Sequence, residues 1–217
     1  DLVLLGGGHS HVIVLRKFGM HPMPGVRITL VTRDLHAPYS GMLPGVIAGH
    51  YSFDDAHIDL APLCRFAGAR IYHTEAVGLD LSKKLVVCRE RPPVPYDLLS
   101  IDIGIAPDRS VLGASEYAVP VKPITGLVSR WKALEKRIRE SSGPLRIAVV
   151  GAGAAGVELT LSMHRAVMKT GTTVSQPEFH LFGAAPTVLP THSRGAQRRF
   201  TRVLNERGVN LHLGQRV

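Results

Sequence analysis

The chain has 217 residues, 45% of them apolar and 20% charged, with a formal net charge of +9. This balance fits a globular chain with its own core and excludes a disordered one, and the two cysteines are too few for a disulfide-stapled scaffold. The basic excess admits nucleic acid or an anionic membrane as a partner, but the charges gather on helix-like stretches, Arg130–Arg139 and Arg194–Arg207, which read as solvated faces.

The sequence opens on an apolar run, Leu2–Leu5, then Gly6-Gly7-Gly8-His9-Ser10-His11, a helical stretch to about Phe18, and a second apolar run, Val26–Val31. It shows no secretory signal pattern and begins at Asp1 without Met, so the native N-terminus is expected to lie outside it. The two cysteines, with no CxxC pair and no zinc spacing, read as a reducing, cytoplasmic setting. No run is long and apolar enough to predict a transmembrane helix. Asp54–Phe66 predicts a helix opened by acidic residues and followed by Gly68. Glu75–Leu81 and Leu85–Arg89 predict short strands around the turn Ser82-Lys83-Lys84, and Tyr96–Ile103 predicts an apolar strand. Ile124–Glu140 predicts an amphipathic helix carrying the only tryptophan, Trp131. Ser141-Ser142-Gly143-Pro144 breaks the chain, which places a domain boundary between residues 1–142 and 143–217.

The opening pattern then recurs. Leu145–Val150 leads into Gly151-Ala152-Gly153-Ala154-Ala155-Gly156, a helical stretch to about Met168, and Phe179–Phe182. A helix over about Ser193–Arg207, Gly208 and a strand over Val209–Leu213 follow, and the sequence stops soon after. The second domain is therefore expected to be incomplete.

Strand, glycine-rich turn, helix and strand together form a diphosphate cradle. The first glycine allows the tight turn, the second lets a pyrophosphate approach the backbone, and the third lets helix and strand pack closely. The helix end then offers unpaired N–H groups and a partial positive charge. The second copy meets this template in full at Gly151, Gly153 and Gly156, with Ala154 and Ala155 between them and Glu158 early in the helix, toward its dipole. The first copy has Gly6 and Gly8, with His9 and Ser10 as further phosphate contacts. His11 stands in place of the third glycine, so it must point away or hold the helix off the strand. Both turns must keep their amide hydrogens free of other protein groups for this reading to hold. The acid that usually grips the ribose is expected near Thr32, with Arg33 and Asp34 following; in the second copy its place falls near Gly183, with no acid close by. Arg194, Arg198 and Arg199 are candidates for a 2′-phosphate, against a solvated helix face as the plainer reading. The scattered histidines and the cysteines, Cys64 and Cys88, have no metal-ligand spacing, so no metal site is expected.

Two such units in one chain resemble the flavoproteins with two dinucleotide-binding domains, among them type II NADH dehydrogenases, sulfide:quinone reductases and disulfide reductases. Gly6–Val12, Pro38–Gly45, Tyr96–Gly104 and Val121–Ile124 are similar to one branch. This is the pyridine nucleotide-disulfide oxidoreductase-like family often fused in front of selenide, water dikinase. The resemblance implies an α/β fold of two Rossmann-like, three-layer domains. The first binds FAD and the second, inserted in it and here truncated, binds NAD(P)H. It also implies that Tyr39, Met42, Leu43 and Pro44 lie beside the flavin ring and that Ala76 and Val77 meet the adenine through backbone. Gly104 closes over the cofactor where the superfamily usually carries Ala-Thr-Gly and this chain carries Asp102-Ile103-Gly104.

The implied activity is hydride passage from NAD(P)H to FAD and on to a small acceptor, with a quinone allowed by family similarity. No side chain stands out as a catalytic acid or base. Cys64 and Cys88 lie far apart and read as structural thiols, which departs from the disulfide reductases. Peripheral membrane contact, a homodimer and fusion to a dikinase domain stay open as implications of the resemblance; nucleic acid is not expected. The alternative is a non-catalytic nucleotide-binding module that works only with a further segment or partner.

Overall fold

The computed structural model describes residues 1–141, 143, 145–169 and 176–216. In chain order its elements begin with β1 (Leu2–Leu5), α1 (His9–Met20), β2 (Ile28–Thr32), β3 (His36–Pro38), α2 (Leu43–Ile47), β4 (His57–Asp59), α3 (Leu60–Phe66) and β5 (Arg70–His73). Next come β6 (Ala76–Asp80), β7 (Leu85–Cys88), β8 (Arg91–Pro95), β9 (Leu98–Ile101), α4 (Ala114–Tyr117) and α5 (Ile124–Glu140). The remainder is β10 (Arg146–Val150), α6 (Ala154–Lys169), β11 (Glu178–Gly183), α7 (Arg194–Glu206) and β12 (Asn210–Leu213).

These elements form two compact units, one of Asp1–Tyr39 with Phe53–Ala106 and the other of Ser40–Ser52 with Pro107–Val217. The partition differs from a single cut at 142. Helix α5 and the segment around α2 group with the second half, because Leu43 and Ile47 share one apolar cluster with Leu127, Val128 and Trp131 of α5 and with Val157 and Met163 of α6. The expected chain break includes Ser142 and Pro144, which lie outside the described residues.

The first unit is built on a parallel sheet in the order β5-β2-β1-β9. Side chains alternate across a strand, and the sequence supplies apolar residues for both faces. Leu4, Ile28 and Leu30 pack with Leu15 of α1 and with Leu60 and Cys64 of α3. Val3, Leu5 and Val31 pack with Val86, Cys88 and Val94 of the antiparallel sheet β6-β7-β8. Covered on both sides, β2 is buried throughout, as its unbroken run Ile28–Thr32 requires. Each fully buried Leu or Val contributes about 1.5–3 kcal/mol relative to an exposed one. The three layers are therefore helix, parallel sheet and antiparallel sheet.

The second unit repeats the start of this plan. Its parallel sheet has the order β10-β11-β12, the same strand-helix-strand path as β1, β2 and β5. Ile147, Phe179 and Leu181 turn one face to Val157, Met163 and Val167 of α6 and to Leu204 of α7. On the other face Phe182 and His212 stack at 4.3 Å, His180 is 3.0 Å from His212, and Val150 is 67% exposed. The basic side chains of α5 and α7, among them Arg130, Arg137, Arg198 and Arg202, lie exposed, as solvated faces do.

Some elements depart from expectation. Asp54–Phe66 is not one helix: Asp54–Ala56 is a 3-10 turn, β4 pairs antiparallel with β3, and only Leu60–Phe66 is helical. The acid that opens this helix is Asp59, whose Oδ1 accepts from the Ala61 amide at 2.9 Å. The helix over Ile124–Glu140 holds, with Trp131 buried.

His164 of α6 sits 5.4 Å from the Phe179 ring, with no hydrogen-bond partner for Nδ1 among the described residues. Burial, and secondarily the Arg207 charge, pull its pKa below the usual value. The unfolded chain therefore takes up this proton first as pH falls through about 6.5, and the folded state loses stability there. Thermal unfolding between pH 7.5 and 5.5 should show a falling midpoint, and His164→Met should shrink that fall.

Candidate functional site: two strand-to-helix turns

Both glycine-rich turns are strand-to-helix elbows. Gly6 closes β1 at φ +95° and Gly151 closes β10 at φ +112°, a region in which L side chains are strained. Each is tied to the neighbouring strand in the same way: the Gly6 amide donates to Val31 O at 2.8 Å and the Gly151 amide to Phe182 O at 2.9 Å. Each helix then begins in step, with Val12 N donating to Gly8 O and Val157 N to Gly153 O.

In the second turn the three glycines separate by role. A Cβ on Gly156 would stand well under 3.0 Å from the carbonyl oxygen of Gly151, so α6 touches the end of β10 backbone to backbone. A Cβ on Gly153 would meet nothing within 4 Å. The fold does not need a glycine there; an incoming group that must reach the backbone does. The amides of Ala154, Ala155 and Gly156 have no partner among the described residues, and all three residues are accessible. They are unsatisfied donors at the positive end of a helix. Glu158 lies beyond the first turn of α6, which holds no acid, and its side chain is exposed.

The first turn has the same path with different occupancy. His11 is buried at 1% exposure. It does not point away. Its Nδ1 lies 2.7 Å from Gly6 O and its Nε2 lies 2.9 Å from Ser100 Oγ. A carbonyl can only accept, so Nδ1 carries the proton; in the neutral ring Nε2 then accepts from the Ser100 hydroxyl. The ring thus stitches β1 to β9 where the second copy has direct backbone contact.

The amides of this turn are not all free, contrary to expectation. The Asp102 carboxylate, just past β9, accepts from the Ser10 amide at 2.9 Å and from the His11 amide at 3.4 Å. The Asp102 carbonyl oxygen accepts from Gly8 N at 3.2 Å. A Cβ on Gly8 would stand well under 3.0 Å from that carboxylate. The amides of Gly7 and His9 remain without a partner among the described residues. In the sequence Asp102 stands out only as a departure from Ala-Thr-Gly. The available signal for its role is an acid directly after an apolar strand, beside a helix with no acid in its first turn and no side-chain cap of its own.

Of the other expected site residues, Arg33 is exposed, directly follows β2 and pairs with Asp34 at 3.2 Å. His9 lies 5.1 Å from the Tyr39 ring. Val77 sits where the β6–β7 register skips from Ala76 to Gly78, so it falls at the irregularity in that ladder. Gly104 has φ +74° and open space around it. Leu43 is 7% exposed and belongs to the core of the second unit, while Met42 and Pro44 are half-buried.

Both thiols are buried, in separate clusters of the first unit. Burial pushes Cys64 up to about 11, and it raises Cys88 against the opposing pull of Arg91.

Substitution should separate the two glycine roles in the second turn. Gly156→Ala forces α6 off β10 and should cost about 1–3 kcal/mol of stability or more. Gly153→Ala meets open space and should leave the thermal midpoint nearly unchanged.

The chain is 27% identical over 164 residues to the NADH dehydrogenase-like protein YutJ of Bacillus subtilis, covering 73% of this chain and 43% of that one. It is 25% identical over 184 residues to the sulfide-quinone reductase of Aquifex aeolicus, covering 81% and 41%. The chain thus spans less than half the length of these curated relatives. Its fold superposes on NDH2 of Plasmodium falciparum, a structure in complex with NADH, with a TM-score of 0.78 at 16% identity, covering 98% of this chain and 47% of that one. The description "Pyridine nucleotide-disulphide oxidoreductase" matches residues 1–217, and with twin strand-to-helix turns on parallel sheets the chain belongs to that family.

Proposed function

We propose that the protein is a flavin-dependent NAD(P)H oxidoreductase in which the first unit holds FAD and the turn at Gly151–Gly156 holds the nicotinamide nucleotide. The observation that carries this reading is the clearance at Gly153 beside the amides of Ala154, Ala155 and Gly156, which have no partner among the described residues. A diphosphate satisfies those donors and faces the positive helix end. Gly6, Gly8, His9 and Ser10 would line the FAD diphosphate, with Arg33 toward the ribose. The bulge at Ala76–Val77 would meet the adenine through backbone, and Gly104 would let the chain pass close to the cofactor. Met42, Leu43 and Pro44, which the resemblance assigns to the flavin ring, belong to the second unit.

Bound flavin would supply hydride acceptance and onward electron transfer; the chain's part is to hold, orient and exclude water. A thiol relay finds no support, since both cysteines are buried and Cys64 stays protonated at neutral pH. The relative named sulfide-quinone reductase favours a quinone as acceptor. Among the described residues no helix is long and apolar enough to cross a membrane. Contact with a membrane-borne quinone is proposed to be peripheral. The end of β11 has Gly183 and no acid, which leaves both NADH and NADPH admissible.

The capped amides of the first turn favour a second reading, a module that binds a nicotinamide nucleotide alone. Purified native protein should show a flavin spectrum, and NAD(P)H should bleach it without oxygen. Gly153→Ala should raise the KM for NAD(P)H by about tenfold, the scale of a lost diphosphate contact, with flavin content unchanged. A colourless protein that still binds NAD(P)H would favour the module.

A further inference from the structure

We propose that Asp102 is a built-in stand-in for the cofactor diphosphate, and that it sets the affinity of the first turn by having to yield its place. The inference rests on the nucleotide reading of that turn.

The two turns serve as each other's control. They share the strand-end glycine at positive φ, the tie to the next strand and the start of the helix. In the second, the space beside the middle glycine is open and the three leading amides of α6 have no partner among the described residues. In the first, the space beside Gly8 holds the Asp102 carboxylate, and the Ser10 and His11 amides donate to it. An anion at a helix N-terminus is favourable, and α1 has no acid of its own in the first turn. The carboxylate therefore caps the helix from a remote strand and keeps the elbow formed.

The same carboxylate opposes the ligand. A diphosphate reaching for these amides meets a like charge and occupied donors. It must displace Asp102 or settle for the amides left open, those of Gly7 and His9. Asp102 is half-buried and follows β9 directly, before Gly104 at φ +74°. The Asp102 amide donates to Leu5 O at 2.8 Å, so the backbone there is anchored and the carboxylate yields by rotation of its side chain.

The test uses full-length protein stripped of flavin and titrated with FAD, read by quenching of flavin fluorescence, beside thermal unfolding of the stripped protein. Asp102→Asn keeps an acceptor for the amides and removes the charge; Asp102→Ser is a second neutral cap in case the first fails to fold. Asp102→Glu retains the charge. Both neutral variants should bind FAD about tenfold more tightly than wild type, the scale of a carboxylate at a partly buried helix end. Their midpoints without FAD should fall, so the FAD-induced rise in midpoint grows; Asp102→Glu should show no gain in affinity. A purely structural cap would lower the midpoint and leave the affinity unchanged or weaker, and that result overturns the proposal. Binding by wild type that the neutral variants do not improve refutes Asp102 alone. No FAD binding by any form refutes the flavin reading as well.

Discussion

At Gly156, helix α6 lies so close to the end of β10 that a single methyl group would collide with the carbonyl oxygen of Gly151. The second half of the chain is organised around that contact. It fixes the helix directly over the strand end, so that its first amides face outward unpaired. It also makes the apolar side of α6, with Val157 and Met163, part of one cluster with Phe179 and Leu181. Packing and the anion-receptive end are thus two consequences of one missing Cβ. The close approach is structural; packing makes no use of the open space at Gly153 beside it, which is where the proposed diphosphate would approach the backbone.

The first unit reaches a similar elbow by other means. Where backbone contact is prevented by a real side chain, His11 bridges Gly6 O and Ser100 Oγ. A buried polar ring is costly unless both nitrogens find partners, and here both do. Asp102 adds a second tie from the same strand end. The elbow, β1 and β9 are therefore held by side-chain hydrogen bonds, where the second unit relies on close packing. Such a network holds its shape in the absence of a ligand, because its donors are already satisfied.

Much of this was legible in the residues. The recurrence of strand, glycine-rich turn and helix marks both elbows, since the strand-end position, Gly6 and Gly151, takes a positive φ that favours glycine. The apolar spacing of Ile124–Glu140 marks a helix with Trp131 inward. What was not legible depends on partners distant in sequence. The stretch from Asp54 is drawn into a 3-10 turn and a strand because β3 is there to pair with it, which no local signal reveals. Strand β8 contains Pro92, Pro93 and Pro95, residues that argue against a strand, and it is tolerated at the edge of its sheet. The grouping of Leu43 with α5 and α6 is a tertiary fact as well. Asp102 lies 92 residues from Ser10, so its place on the helix end could not be read from either segment alone.

Both elbows are proposed to receive dinucleotide diphosphates through backbone amides. Hydrogen exchange measured by mass spectrometry, on peptides covering residues 6–12 and 150–157, addresses those amides directly. Added NAD(P)H should slow exchange at residues 153–157, and FAD should slow it at residues 7–12. Unchanged exchange in both peptides, with protection by these nucleotides found elsewhere in the chain, would contradict the account.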